Sequence, residues 1–121
     1  MSESIIKNKS FELAVAGVHF YKLLTIDKKE FIMSKQFLRS ITSVGANVRE
    51  ATNAQSKSDF IHKLSISQKE CDETIYWLEL LKETNYISNE EFNSLYPKSN
   101  EVLKIIRSII TTSKKLITHN S

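Results

Sequence analysis

Metal binding is the first chemistry that the sequence offers, through Asp59 and His62 at i, i+3 spacing. A dinuclear metal site inside a helical bundle takes two Glu-x-x-His motifs and two further carboxylates from facing helices. The sequence has one such pair, with Asp in place of Glu, and His19 and His119 share no ligand spacing with it. Asp59 is more simply explained as a first-turn acid near the helix-capping serines. We therefore predict no metal site and no cofactor.

Nucleophilic catalysis is the second possibility, because the chain contains a single cysteine, Cys71. A nucleophilic thiol needs a base within reach to form the thiolate, and the sequence identifies none. The neighbouring acids Glu70, Asp72 and Glu73 point in different directions on a helix, which favours a solvated face over an acid–base pair. Gly-x-Gly-x-x-Gly, P-loop and Gly-x-Ser-x-Gly motifs are also absent from the sequence. These observations predict a protein without enzymatic activity, in which Cys71 is a small buried residue.

Positive charge is concentrated in the C-terminal segment, which contains no acidic residue after Glu101. Its apolar and polar positions predict an amphipathic helix whose polar side is basic. Cations fixed along a rigid helix suit a phosphate backbone, whereas lysines near a helix C-terminus also stabilise the helix dipole. The alternative is therefore a face that only keeps the protein soluble. The predicted nucleic-acid contacts are Lys104, Arg107, Lys114 and Lys115.

The composition is that of a soluble helical protein with one domain, residues 1–121. The chain has 40% hydrophobic and 26% charged residues, a net charge of +3, two glycines and one proline, and so few turn-forming residues favour helix throughout. One cysteine excludes an intramolecular disulfide, and the first residues do not resemble a signal peptide. No stretch approaches the roughly 18 apolar residues of a membrane span. We expect a cytoplasmic protein that does not bind membranes.

Four helical segments can be placed from capping residues and apolar periodicity. Asp27 is the expected cap of the second segment, and Ser56 or Ser58 that of the third. Ser88 and Glu91 have the spacing of a capping box at the start of the fourth, in which a proline predicts a kink or a short first piece. The predicted helices are residues 10–25, 28–52, 58–85 and 88–118, with Pro97 inside the last.

The second and third predicted helices carry the strongest periodicity, with buried-type residues at alternating spacings of four and three. Narrow stripes of this kind occur on long helices that pack nearly antiparallel, and two such helices across a short break form a hairpin. The fold prediction is an all-α, antiparallel, up-down four-helix bundle. The two stripes are Phe37, Ile41, Val44, Val48 and Ala51, and Phe60, Leu64, Ser67, Cys71, Thr74, Leu78 and Leu81.

The same two helices also offer surface that their own core does not need. Trp77 projects away from the core direction with Ile66 and Leu80, and an exposed apolar cluster marks a contact surface. The second helix has a row of mostly small or amide-bearing residues, Gln36, Ser40, Ser43, Asn47 and Glu50, where another helix can approach closely. The alternatives are cover by neighbouring helices of the same bundle and an ordinary solvated face.

Self-association is therefore expected, with pairing of Arg39 and Glu50 between subunits. These two side chains lie eleven residues apart and project in nearly the same direction, so they are better placed to pair between copies than within one helix. The predicted subunit contacts are Gln36, Arg39, Ser43, Asn47, Glu50 and Trp77.

The second predicted helix resembles a family of bacterial four-helix bundle proteins. Gln36-Phe37-Leu38-Arg39-Ser40 and the segment Ser-Val-Gly-Ala-Asn-Val-Arg-Glu at residues 43–50 are similar to that family's core pattern. Ser58-Asp59-Phe60 and Trp77-Leu78 resemble its third-helix pattern, as does Lys69-Glu70. These proteins were first noticed as reading frames within intervening sequences of 23S ribosomal RNA genes, and are called ribosomal-type proteins for that reason.

The resemblance implies a homopentamer of four-helix bundles without established enzymatic activity. A similar protein is the accessory protein of diversity-generating retroelements, a basic pentamer that binds nucleic acid and a reverse transcriptase. Taken with the basic C-terminal helix, the prediction is a non-enzymatic, homo-oligomeric binding module or scaffold whose candidate ligand is RNA or DNA. The alternative is a scaffold or adaptor that binds only a protein partner.

Overall fold

A computed structural model describes the backbone of residues 2–120 and the side chains of residues 4–118; the side chain of His119 lies outside this range. The described residues form four α-helices and one π-helical turn, Leu23–Asp27, and contain no strand. The all-helical prediction is confirmed. No helix in the described part of the chain is both long and apolar enough to cross a membrane. The helices are α1 (Ser2–Lys22), α2 (Met33–Thr52), α3 (Lys57–Glu83) and α4 (Asn89–Asn120).

Hydrogen bonds between α2 and α3 show that these helices run antiparallel. Thr74 Oγ1 donates to Ser40 Oγ at 3.0 Å, and Ser67 Oγ donates to the carbonyl oxygen of Val44 at 2.7 Å. Residue numbers therefore rise along α2 while they fall along α3. The predicted antiparallel hairpin of the two middle helices is present.

The outer helices pack on this hairpin with the same alternation of direction. The rings of Phe20 and Phe37 lie 5.5 Å apart, whereas the Arg49 guanidinium, near the end of α2, lies 5.9 Å from the ring centre of Phe11 in the middle of α1. α4 runs antiparallel to α3, since Lys82 Nζ lies 4.5 Å from the ring centre of Phe92 while Asp72 pairs with Arg107 at 3.5 Å, and α4 also contacts α1, which closes the bundle. The structure thus has the up-down topology that the short connections predict.

Both predicted stripes face the interior. All five residues of the α2 stripe are buried, as are six of the seven on α3, while Phe60 is half-buried. Gly17 lies where α1 crosses α2, and a Cβ at this position would lie 2.5 Å from the nearest side-chain carbon of Ile41. A glycine at the contact lets the two backbones approach closely, at the cost of lower helix propensity.

Two predicted caps are confirmed by their hydrogen bonds. Ser56 Oγ accepts the backbone N–H of Asp59 at 3.0 Å at the start of α3. At the start of α4, Ser88 Oγ accepts the N–H of Glu91 at 3.0 Å, and the Glu91 carboxylate accepts the N–H of Ser88 at 2.8 Å. This capping box lowers the pKa of the Glu91 carboxyl, chiefly through the backbone hydrogen bond from Ser88.

The prediction of a short first piece in α4 is wrong, because the helix is continuous through Pro97. Ser99 Oγ donates to the carbonyl oxygen of Leu95 at 3.1 Å, so a side-chain hydrogen bond spans the proline. Leu95 and Ser99 are both buried. Packing of the core face on both sides of Pro97 holds the helix where propensity alone would end it.

The predicted start of α2 is also wrong, and Asp27 does not cap this helix. The first helix continues as a π-helical turn to Asp27, and α2 begins only at Met33. Lys29 has a φ of 56°, which turns the chain between them. The cap is the Glu30 carboxylate, which accepts the backbone N–H groups of Ile32, Met33 and Ser34 at 3.2, 3.1 and 2.7 Å.

Glu30 is 7% exposed, so its removal leaves three N–H groups of the α2 N-terminus without this acceptor. We predict that Glu30→Ala lowers the free energy of unfolding by about 1–3 kcal/mol, measured by urea denaturation. Lys35→Ala, a change at an exposed site in the first turn of the same helix, is the control and is expected to stay within about 0.5 kcal/mol. Equal midpoints for both variants would contradict this role of Glu30.

Candidate functional site

The polar side of α4 is a continuous, exposed, basic face. Lys104, Arg107, Lys114 and Lys115 are all exposed, and their spacing of three, seven and one residues keeps them on one side of a helix with 3.6 residues per turn. The buried residues of α4, such as Ile106, lie on the other side. The structure thus brings together the four residues predicted to contact nucleic acid. We call them the basic face.

Only one member of the basic face has an acidic partner among the described residues. Arg107 lies 3.5 Å from a carboxylate oxygen of Asp72, and each side chain is 52% exposed. Such a surface pair contributes little to stability and exchanges readily with water. The other three cations keep their ammonium groups in solvent.

Hydroxyl groups accompany the lysines near the end of α4. The segment lines a shallow, open surface groove with a volume of about 840 Å³. Ammonium and hydroxyl groups both donate hydrogen bonds to phosphate oxygens. The groove is lined by Thr111, Thr112, Lys114, Lys115, Leu116 and Thr118.

The predicted row on α2 divides between the surface and the interior. Gln36 and Glu50 are exposed, and Ser43 and Asn47 are half-buried. The placement of Ser40 on an outward row is wrong, because it is fully buried and bonded to α3. A step of four residues rotates a position by about 40° on a helix of 3.6 residues per turn, and the step from Gln36 to Ser40 turns toward the buried stripe of α2, so Ser40 reaches the contact with α3.

Arg39 forms an ion-pair network with α3 of its own chain. Its guanidinium contacts Glu70 at 3.2 Å and Glu73 at 2.7 Å. The hydrogen bond that Arg39 donates to Glu73 lowers the pKa of the Glu73 carboxyl. Glu50 pairs with Lys63 at 2.9 Å. The predicted pairing of Arg39 with Glu50 between subunits would therefore compete with partners that both residues already have.

Trp77 is half-buried at the outer edge of α3. Its Nε1 donates to Glu73 Oε1 at 3.3 Å, and part of its ring packs against the core. The ring of Tyr76 meets it edge-on at 5.1 Å between centroids, and Tyr76 is 54% exposed. Cover by the same bundle thus accounts for part of Trp77, while Tyr76 extends the aromatic surface outward.

An apolar stripe on α1 has no counterpart in the sequence prediction. Phe11, Val15 and Val18 are exposed by 57%, 42% and 37%. Their i, i+4, i+7 spacing places them on one side of α1, away from the buried Leu13. Counting this second apolar face along residues 10–25 would have been sufficient to find it.

The side chains that could bind a metal ion are dispersed in the described part of the chain. No three side chains of His, Cys, Asp or Glu in this part lie close enough to hold a metal ion. Cys71 is buried and donates to the carbonyl oxygen of Ser99 at 3.3 Å. Burial, followed by the charge of Asp72, raises the pKa of the Cys71 thiol to about 12. The interpretation of Cys71 as a buried core residue is confirmed.

Comparison with known proteins confirms the resemblance seen in the second and third predicted helices. The model of the 23S rRNA-intervening sequence protein family matches residues 2–108. The chain is also similar to a crystal structure of a protein with unknown function, from the S23 ribosomal protein family of Bacteroides thetaiotaomicron VPI-5482. The two chains are 53% identical with a TM-score of 0.90, over 92% of this chain and 99% of that one. No curated protein matches the sequence.

The burial of Cys71 predicts a thiol that does not react in the folded protein. With a pKa of about 12, the thiolate is scarce at pH 8, so alkylation is expected to be at least a thousandfold slower than for a free cysteine, by roughly the ratio of thiolate fractions. Iodoacetamide labelling followed by mass spectrometry measures this rate. The denatured chain is the control and should label quickly. Rapid labelling of the folded chain would contradict the assignment.

Proposed function

We propose that this chain, which belongs to the 23S rRNA-intervening sequence protein family, is a non-enzymatic, self-associating helical module that binds RNA or DNA through its basic face. The observation that carries the proposal is the exposure of Lys104, Arg107, Lys114 and Lys115 on one side of a helix that has no acid after Glu101. Phosphate contacts dominate nucleic-acid affinity and need no base-reading element. The proposed ligand is therefore defined by its backbone and not by a particular sequence.

The length of the basic face supports this ligand. Lys104 and Lys115 are separated by eleven residues, which is about 16 Å along a helix. One strand of a duplex carries a phosphate about every 3.4 Å along the axis, so a face of this length extends past roughly five phosphates. Four cations on a rigid helix can therefore contact successive phosphates without rearrangement.

Self-association is proposed as the means by which a weak site gains affinity. A pentamer would present the basic face five times, and linked sites gain affinity through effective concentration. The half-buried Trp77 and the exposed Tyr76 beside it support a subunit contact at this edge of the bundle. The small and amide side chains of Ser43 and Asn47 lie on the neighbouring helix.

A protein-only scaffold is the second candidate, and the apolar stripe on α1 favours it. Exposed Phe11, Val15 and Val18 suit a protein surface better than a phosphate backbone. The ion pair of Arg107 with Asp72 also removes part of the charge that phosphate would meet. In this case the basic face only keeps the assembly soluble.

The nucleic-acid proposal predicts a salt-dependent affinity that depends on the basic face. Replacing Lys104, Arg107, Lys114 and Lys115 with Ala should abolish most binding to a single-stranded or duplex RNA or DNA probe. The slope of log K against log salt concentration should become shallower by about 0.7–0.9 for each phosphate that the variant no longer neutralises. Fluorescence anisotropy across a salt titration measures both quantities.

The matched control removes four other exposed lysines, Lys29, Lys35, Lys57 and Lys69, and has the same net charge as the basic-face variant. It should retain the affinity and the slope of the wild type within a few fold. An equal decrease in affinity for both variants would indicate non-specific attraction to net charge. If the wild type does not bind the probe at low salt, the nucleic-acid proposal is overturned and the protein-only scaffold is the remaining candidate.

Self-association predicts a molar mass well above that of one chain. We expect light scattering of the purified protein, after nuclease treatment, to give a single species at a multiple of 13.9 kDa, with five copies as the proposed number. The mass should not depend on nucleic acid, because the proposed contacts are between protein surfaces. A species of 13.9 kDa at micromolar concentration would overturn the proposed assembly.

A further inference from the structure

We infer that the apolar stripe on α1 of one copy packs against the aromatic, acidic surface of α3 on the next copy, so that the contact between subunits is head-to-tail. The stripe consists of Phe11, Val15 and Val18. The α3 surface, called here the α3 patch, consists of Tyr76, Trp77 and the neighbouring acids Glu73, Glu79 and Glu83. This inference rests on the proposed self-association and names both of its surfaces.

The α1 side of the contact combines apolar side chains with positive charge. Residues 4–22 contain three lysines and one glutamate, and one of the lysines, Lys9, pairs with Glu101 of α4 at 3.3 Å. The guanidinium of Arg49 on α2 lies 5.9 Å above the ring of Phe11 and adds a further cation. Beside Phe11 is a shallow groove of about 360 Å³, lined in part by the methyl groups of Ala14 and Ala46 and by the backbone of Gly45. The exposed ring therefore stands next to a recess that can accept side chains of another molecule.

The α3 side has the complementary composition. Residues 72–83 contain four acids and one lysine, and Tyr76 is 54% exposed with Trp77 half-buried beside it. Arg39 neutralises Glu73 and Arg107 pairs with Asp72, whereas Glu79 and Glu83 are exposed and form no ion pair among the described residues. The α3 patch has aromatic side chains flanked by acids, and the α1 stripe has apolar side chains flanked by cations. The two surfaces are complementary, because burial of the apolar side chains and attraction of opposite charges favour the same contact.

Different helices supply the two surfaces, and this decides the geometry of assembly. α1 and α3 have no extensive contact with each other in the bundle, so each copy retains an unused stripe when its α3 patch is occupied. Contacts of this kind add copies in one direction and close into a ring when the rotation between copies divides a full turn. A contact of the α1 stripe with itself would end at a dimer.

Paired surface variants test the inference on the full-length chain. Phe11→Glu with Val15→Glu places negative charge on the α1 stripe, and Tyr76→Lys places positive charge on the α3 patch. Each substituted side chain is exposed, and circular dichroism verifies folding; Phe11→Gln with Val15→Gln, and Tyr76→Gln, are neutral versions of the same changes. Ile32→Glu, at a site 79% exposed in the α1–α2 connection, is the control.

Light scattering should give the wild-type mass for the control and the monomer mass of about 13.9 kDa for each surface variant alone. An equimolar mixture of the two neutral glutamine variants should form a species of twice that mass and no larger, since one intact stripe meets one intact patch and the two altered surfaces carry no opposite charges. If either folded variant keeps the wild-type mass, or if the mixture stays monomeric, the inferred α1–α3 contact is wrong while the proposed self-association still stands. Unchanged mass with weakened RNA binding in the α1 variant would assign Phe11 to nucleic acid instead. A monomeric wild type overturns both this inference and the proposed assembly.

Discussion

The register between α2 and α3 is fixed by hydroxyl groups buried in the seam between them, and the rest of the molecule depends on this register. Ser67 donates to the carbonyl oxygen of Val44, and Thr74 donates to Ser40, all at positions without solvent exposure. Ser40 and Thr74 also bond to backbone carbonyl groups of their own helices, at Phe37 and Glu70, so the cost of losing both pairs would fall chiefly on Ser67, at about 1–3 kcal/mol for an unpaired buried hydroxyl. A slip of one helical turn would separate both pairs at once, whereas an all-apolar seam would tolerate it more easily.

That register determines which charges meet on the outside of the seam. Arg39 reaches Glu70 and Glu73 only because Ser40 lies opposite Thr74, and Glu73 in turn accepts the indole N–H of Trp77. The indole is therefore held by Glu73 and by its packing against the core, one helical turn from the buried Ser40–Thr74 hydrogen bond. Tyr76, the residue before Trp77 on α3, is left exposed at the same edge, which is the edge proposed to meet another copy.

The parts of this fold that follow from regular spacing could be predicted from the sequence, and the parts that follow from exceptions could not. The α2 and α3 stripes and the Ser88–Glu91 capping box depend on local periodicity, and a sequence displays periodicity directly. Glu30 caps α2 from outside the usual cap position, after a π-helical turn. Ser40 is polar but belongs to the interior because its partner, Thr74, lies 34 residues away. No local pattern contains that information.

Charge links the proposed assembly to the proposed ligand. A chain with a net charge of +3 repels its own copies, and a ring that gathered basic faces without compensation would oppose its own formation. Contact between a cationic α1 surface and an acidic α3 surface removes this difficulty, because it uses acids at the subunit boundary and leaves the cations of α4 in solvent. In the proposed assembly the acids of α3 and the cations of α4 therefore have separate roles. The acids of α3 would hold copies together, while the cations of α4, repeated in each copy, would give the assembly a higher positive charge than one chain has.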